Sequence, residues 1–129
     1  MLLRKYMCLL GVGSAKIDLI IEKDTYKAGD TVHGHFLLKG GTISQQLKRI
    51  DCDLVMEERS SKTEKVVESA MILTSKTIES EEMNKVKFTF SLPEDLVLSS
   101  KETAYHFKTK LTFNEGVDST DSDRIKIIE

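Results

Sequence analysis

The sequence has one proline, two cysteines and almost no excess of charge, and each shortage removes a class of protein. Cys8 and Cys52 stand in different segments without CxxC or Cys/His spacing, which indicates neither a zinc knuckle nor a secreted disulfide framework. A reducing cytoplasm is the compartment expected. The net charge of -2 creates no field able to concentrate nucleic acid, so DNA and RNA are not expected as partners. GxSxG elbows, glycine-rich phosphate loops after a strand and HExxH helices are missing too, so neither an enzyme nor a cofactor is expected. A secretory leader is not expected either: the apolar stretch behind Arg4 and Lys5 runs only from Tyr6 to Gly13 and is broken by Gly11.

What is present fits a single domain of 129 residues. Leu3, Tyr6, Met7 and Leu10 fall at i, i+3, i+4 and i+7, which predicts an amphipathic helix over residues 1–13, a candidate for docking on a partner or a membrane surface. From residue 14 to 129 the period changes to two, the signature of an all-β, antiparallel two-sheet sandwich. Ile17, Leu19 and Ile21 alternate in "KIDLIIE", and Val32, Gly34, Phe36 and Leu38 face inward in "TVHGHFLLK". Ile50, Cys52, Leu54 and Met56 do so in "RIDCDLVMEE", with Asp51, Asp53, Val55 and Glu57 outward, and Cys52 reads as a small core residue. Val86, Phe88, Phe90 and Leu92 form a further inward row, as do Tyr105, Phe107, Leu111 and Phe113. "RIKII" makes a last short strand, residues 60–82 read as strand, and "YKAGD", "KGGT", "LPEDLVLSSKE" and "NEGVDSTDSD" read as turns.

Three groups of side chains could carry chemistry. His33 and His35 share a strand face, but zinc needs a third and usually a fourth ligand, which no nearby pattern supplies. Asp118 and Glu129 stand at the first and twelfth places of a calcium loop, yet Asp123 occupies the place of the bend-forming glycine, so a turn into "RIKII" is expected and a metal is not. Lys85 and Lys87 share one polar strand face, and His106, Lys108 and Lys110 share the next. If those strands are neighbours, a basic stripe results, suited to acidic or phosphorylated partners or to anionic lipid; lysines that merely guard a sheet edge are the alternative.

The run "EKDTYKAGDTVHGHFLLKGG" resembles the opening of an arrestin-type N-terminal domain with its Y-x-x-G-[DE]-x-V-x-G pattern, matched by Tyr26, Gly29, Asp30, Val32 and Gly34. Gly29 would permit a positive φ in the turn and Gly34 a close backbone approach or a bulge. "FTFSLPEDL" is similar to the F-x-F-x-L-P signature of the same superfamily. More narrowly, "GVGSAKID" near the start and "GVDSTDSD", with Asp118, Asp121 and Asp123, resemble the two ends of the first domain in the bacterial sporulation-control family called SpoOM.

The resemblance implies an arrestin-like (immunoglobulin-like) sandwich, cytoplasmic and non-enzymatic, regulating sporulation through protein partners. It also implies a second, similar sandwich, which this chain, ending at Glu129, would lack. The partner sites expected are the basic stripe, the N-terminal stripe, or a sheet edge, which would also serve homo-oligomerisation; peripheral membrane contact is a further candidate. Two alternative functions stay open. One is a calcium- or metal-responsive domain built on the aspartates or on His33 and His35; the other is an arrestin-like trafficking adaptor.

Overall fold

The structure, a computed structural model, describes residues 13–129. The expected helix with Leu3, Tyr6, Met7 and Leu10 therefore lies outside the described residues, among which there is no helix. None is thus long and apolar enough to cross a membrane.

Nine strands form two sheets, as the two-residue alternation predicts: β1 (Lys16–Ile21), β2 (Thr25–Lys27), β3 (Thr31–Lys39), β4 (Gln45–Glu58), β5 (Thr63–Leu73), β6 (Thr77–Ile78), β7 (Met83–Ser91), β8 (Thr103–Phe113) and β9 (Ser119–Ile128). The smaller sheet has the order β1-β3-β7 and the larger β2-β9-β8-β4-β5, with β6 paired to the first residues of β4. All pairs are antiparallel except β2 with β9, where Thr25 to Lys27 run parallel to Lys126 to Ile128.

The inward rows meet between the sheets. Phe36, Phe88 and Phe90 come from the smaller sheet and Phe107 from the larger, with ring centroids 5.0 Å apart for Phe36 and Phe88, 5.6 Å for Phe88 and Phe107, and 5.1 Å for Phe90 and Phe107, all edge to face. That geometry sets the positive ring edge against the negative ring face. Cys52 is buried and accepts the Thr109 hydroxyl at 3.6 Å; burial, above all, pushes its thiol up to about 12, so it is a core residue without thiolate character.

Both glycines of the Y-x-x-G-[DE]-x-V-x-G run are required where they stand, one in a turn and one inside β3. Gly29 has φ +84° in the turn between β2 and β3, and a Cβ on Gly34 would lie 2.1 Å from the Ile20 carbonyl oxygen. The Asp30 carboxylate accepts the Lys27 N–H at 2.8 Å and closes that turn. The turn is tied to the end of β7: Gly29 donates to the Pro93 carbonyl at 3.1 Å and Leu92 to the Asp30 carbonyl at 2.9 Å. The "YKAGD" and "SLP" runs are therefore spatial neighbours.

Two expectations are corrected. "DSTDSD" is mostly strand, because β9 starts at Ser119 rather than at the apolar "RIKII". Val55 is buried despite its place among outward residues; it lies between Val66 of β5 and His106 of β8, beside a register shift in the β4–β5 ladder.

Phe107 is fully buried at the meeting point of the aromatic rows, so Phe107→Ala is expected to cost about 3–5 kcal/mol, read from the urea midpoint at constant m. A loss under about 1 kcal/mol would show that the two sheets are not held there.

Candidate functional site

β1 is an edge strand with a single backbone partner, β3, so its alternate N–H groups point away from any ladder. Side chains of the larger sheet receive them. Ala15 N–H donates to Gln45 Oε1 at 2.8 Å, Ile17 N–H to Ser119 Oγ at 3.2 Å, and Leu19 N–H to Asp121 Oδ2 at 2.8 Å. Three acceptors thus stand along the strand at alternate residues, two of them on β9, which explains why β9 places polar residues on its inward face before Ile125 and Ile127 take over.

Next to this clasp lies a group of three carboxyls. One oxygen each from Asp18, Asp121 and Asp123 falls within 4.8 Å of the others. Burial first, then the hydrogen bond and charge of Asp121 and the charge of Asp18, push the Asp123 carboxyl up to about 7. No donor reaches its buried Oδ2, as suits an acid better than a carboxylate. Asp18 is raised as well, by burial and by Asp121, with the nearby His35 pulling the other way.

Three carboxyl oxygens are a partial donor set for a hard divalent cation. Asp121 Oδ2, however, already holds the Leu19 N–H, and Asp123 retains its proton close to neutrality. The crowded charge is relieved by a proton on Asp123, and a cation among the three oxygens would relieve it in the same way.

The residues expected to act together are largely separated. The connection from Leu92 to Glu102 carries the chain from β7 in the smaller sheet to β8 in the larger, so Lys85 and Lys87 do not adjoin His106, Lys108 and Lys110, and the basic stripe does not form. Glu64, which sequence reasoning missed, answers part of the β8 row: Lys108 Nζ lies 2.8 Å from its Oε2 and His106 Nε2 3.2 Å from the same oxygen. His33 and His35 lie on the outer face of β3 and take part in no metal-ligating cluster among the described residues. Tyr26 and Val32 of the Y-x-x-G-[DE]-x-V-x-G run are core residues.

Asp118 is exposed and outside the carboxyl group, whereas Asp121 and Asp123 belong to it. Asp18 joins them from the other end of the chain. Its signal was available, since it closes the "GVGSAKID" run just as Asp121 and Asp123 close "GVDSTDSD".

Fold and clasp define a two-sheet β-sandwich domain whose first strand is fastened by its last. The SpoOM protein family model matches residues 3–128, and the chain belongs to that family. It is 33% identical over 128 residues to the sporulation-control protein spo0M of Bacillus subtilis (strain 168), covering 95% of this chain and 50% of that protein. The crystal structure of Bacillus subtilis Spo0M superposes with a TM-score of 0.82 at 32% identity, over 92% of this chain and 51% of that one. The chain therefore spans about half the length of these relatives. A family 123 glycoside hydrolase from Clostridium perfringens shares the fold alone, with a TM-score of 0.54 at 8% identity over 90% of this chain and 27% of that one.

The carboxyl group sets a pH dependence. Asp123 ionises at about 7 in the fold, against about 3.9 for an unfolded aspartate. The fold therefore holds the proton more tightly, and the stabilisation is full below about pH 4 and is lost as the pH rises to about 7. Asp123→Asn should remove that decline and unfold at higher urea than wild type at pH 8, with the two converging near pH 4; solvent screening of this partly exposed carboxyl reduces the full linkage value to on the order of 1 kcal/mol. Parallel pH profiles for wild type and variant would place the proton elsewhere.

Proposed function

We propose that this chain is a non-enzymatic regulatory module that acts in the control of sporulation by contacting a protein partner in the cytoplasm. The observation that carries the reading is the 33% identity to a protein named for sporulation control, spread over 95% of this chain rather than confined to a motif. The arrestin-like character of the domain, suggested by the turn at Tyr26 to Gly34 and the "FTFSLP" run, supports a scaffold that works by contact.

The larger sheet offers a place for such a contact. β5 is its outermost strand, and its outer edge pairs with nothing among the described residues. Val66, Met71 and Leu73 are exposed on it, Leu73 by 72%. Beside it an apolar cleft of about 200 Å³ opens between the two sheets, lined by Ile72 and Leu73 of β5 and Val86 of β7 among others. An extended peptide adding to β5 would gain main-chain hydrogen bonds along the edge and could place an apolar side chain in the cleft.

The test replaces the matching half of Spo0M in Bacillus subtilis with this chain and counts heat-resistant spores. Sporulation near the wild-type level is expected, falling to the level of the deletion strain when Met71→Lys and Leu73→Lys are added. A chimera that accumulates folded yet sporulates like the deletion strain would overturn the assignment; full sporulation with both lysines present would move the contact away from β5.

A further inference from the structure

The outer face of the smaller sheet is built differently from that of the larger. Its outward positions carry Lys16, Asp18 and Ile20 on β1, His33, His35, Leu37 and Lys39 on β3, and Met83, Lys85, Lys87, Thr89 and Ser91 on β7. Four lysines thus share the strands of this face with one aspartate, and Glu22, which follows β1 directly, stands near Lys87 at one end of it. None of the four has an ion-pair partner among the described residues, and their own strands offer Asp18 as the one acid. Asp18, the one acid in these rows, lies within reach of Asp121 and Asp123. Other carboxylates, Glu79, Glu81 and Glu82, occur in the loop before β7 rather than in the strands.

The positions of these lysines have no explanation within the fold. Lys16 and Lys39 are direct cross-strand partners, and like charges placed opposite each other destabilise a sheet. Guarding an edge accounts for lysines on β7 but not for these two. β3 is the central strand, and the free edge of β1 is already covered by Gln45, Ser119 and Asp121. Such an arrangement is favoured once an anion sits over it.

We propose that this face docks on an anionic lipid bilayer through Lys16, Lys39, Lys85 and Lys87. The register puts Lys16 beside Lys39 and Met83, and the next rows are Asp18, Leu37 and Lys85, then Ile20, His35 and Lys87. With strands about 4.8 Å apart, all four ammonium groups can reach one patch of headgroups at the same time. The apolar residues among them favour lipid over an acidic protein. Ile20 is 39% and Met83 58% exposed, and together with the half-buried Leu37 they lie among the lysine stems, as suits a headgroup boundary whose outer side is charged and whose inner side is apolar. The net charge of -2 does not oppose the contact, because screening within about 10 Å leaves the local face to decide it.

The experiment is co-sedimentation of the full chain with vesicles of equal phosphatidylglycerol and phosphatidylcholine, against vesicles of phosphatidylcholine alone. Binding to the anionic vesicles at low salt is expected, with release at about 0.5 M salt and none to the neutral vesicles. Each lysine near an anionic surface is worth roughly fivefold, so Lys16→Glu, Lys39→Glu, Lys85→Glu and Lys87→Glu together should weaken binding at least about 100-fold. Lys48→Glu, Lys62→Glu, Lys101→Glu and Lys126→Glu make the same change of net charge at exposed positions elsewhere and should weaken it far less. A set of four glutamines on the face, which removes the repulsion between Lys16 and Lys39, keeps the test valid if the glutamate variant fails to fold.

Failure to bind anionic vesicles at low salt would overturn the proposal, as would equal losses in the two sets of variants. Retention on immobilised polyglutamate without vesicle binding would overturn it in favour of an acidic protein on the same face.

Discussion

Everything on the smaller sheet depends on how β1 is held. Apolar packing between two sheets is non-directional and would tolerate sliding, yet Ser119 and Asp121 each hold a particular N–H of β1 and Gln45 holds that of Ala15 just before it. A shift of β1 by one residue would exchange Ile17 and Leu19 for Lys16 and Asp18 on the core side. The hydrogen bonds therefore fix the register that the hydrophobic pattern alone only favours. Through β1 they also position β3 and β7, and with them Phe36, Phe88 and Phe90 against Phe107.

The clasp has a cost, visible in the chemistry beside it. Receiving backbone N–H groups from the opposing sheet requires polar side chains on the inner face of β9, and these sit against a core that penalises charge. Asp121 has a use for its carboxyl there, accepting the Leu19 N–H. Asp123, one turn of the pleat further in, has no comparable donor, and it stays protonated to about pH 7 instead. The perturbed acid is thus a consequence of how the sandwich is fastened, and a perturbed pKa here does not by itself imply catalysis.

This logic also separates what was legible in the sequence from what was not. Alternation assigned the inward rows on β1, β3, β7 and β8 and placed Cys52 in the core, because burial on one face writes a period of two. The motif glycines were legible for a similar reason, since Gly29 and Gly34 answer local backbone demands. β9 was misjudged at its start because polar residues normally face water, and Ser119 and Asp121 face inward for partners about a hundred positions away in the chain. The basic stripe failed on another ground: alternation gives the face of a strand but not the sheet to which it belongs, and the crossing after Leu92 leaves no periodic signal. Glu64 beside Lys108 was invisible for want of the same long-range information, whereas Asp18 carried a signal in the "GVGSAKID" run but not the distance that joins it to Asp121.

The clasp and the cationic face are two sides of the same strand. On β1 the residues 17 and 19 give their side chains to the core and their N–H groups to β9, while the residues 16, 18 and 20 give their side chains to the outer face. Asp18 is the exception among the latter, since its carboxyl lies close to those of Asp121 and Asp123 and is itself shifted toward the neutral form. Each increment of neutralisation there removes negative charge from among Lys16, Lys39, Lys85 and Lys87. A drop in pH therefore favours the fold through Asp123 and makes the outer face more positive through Asp18 at once. The charge pattern that stabilises the fold from within is, on this strand, also the one that suits an anionic surface outside.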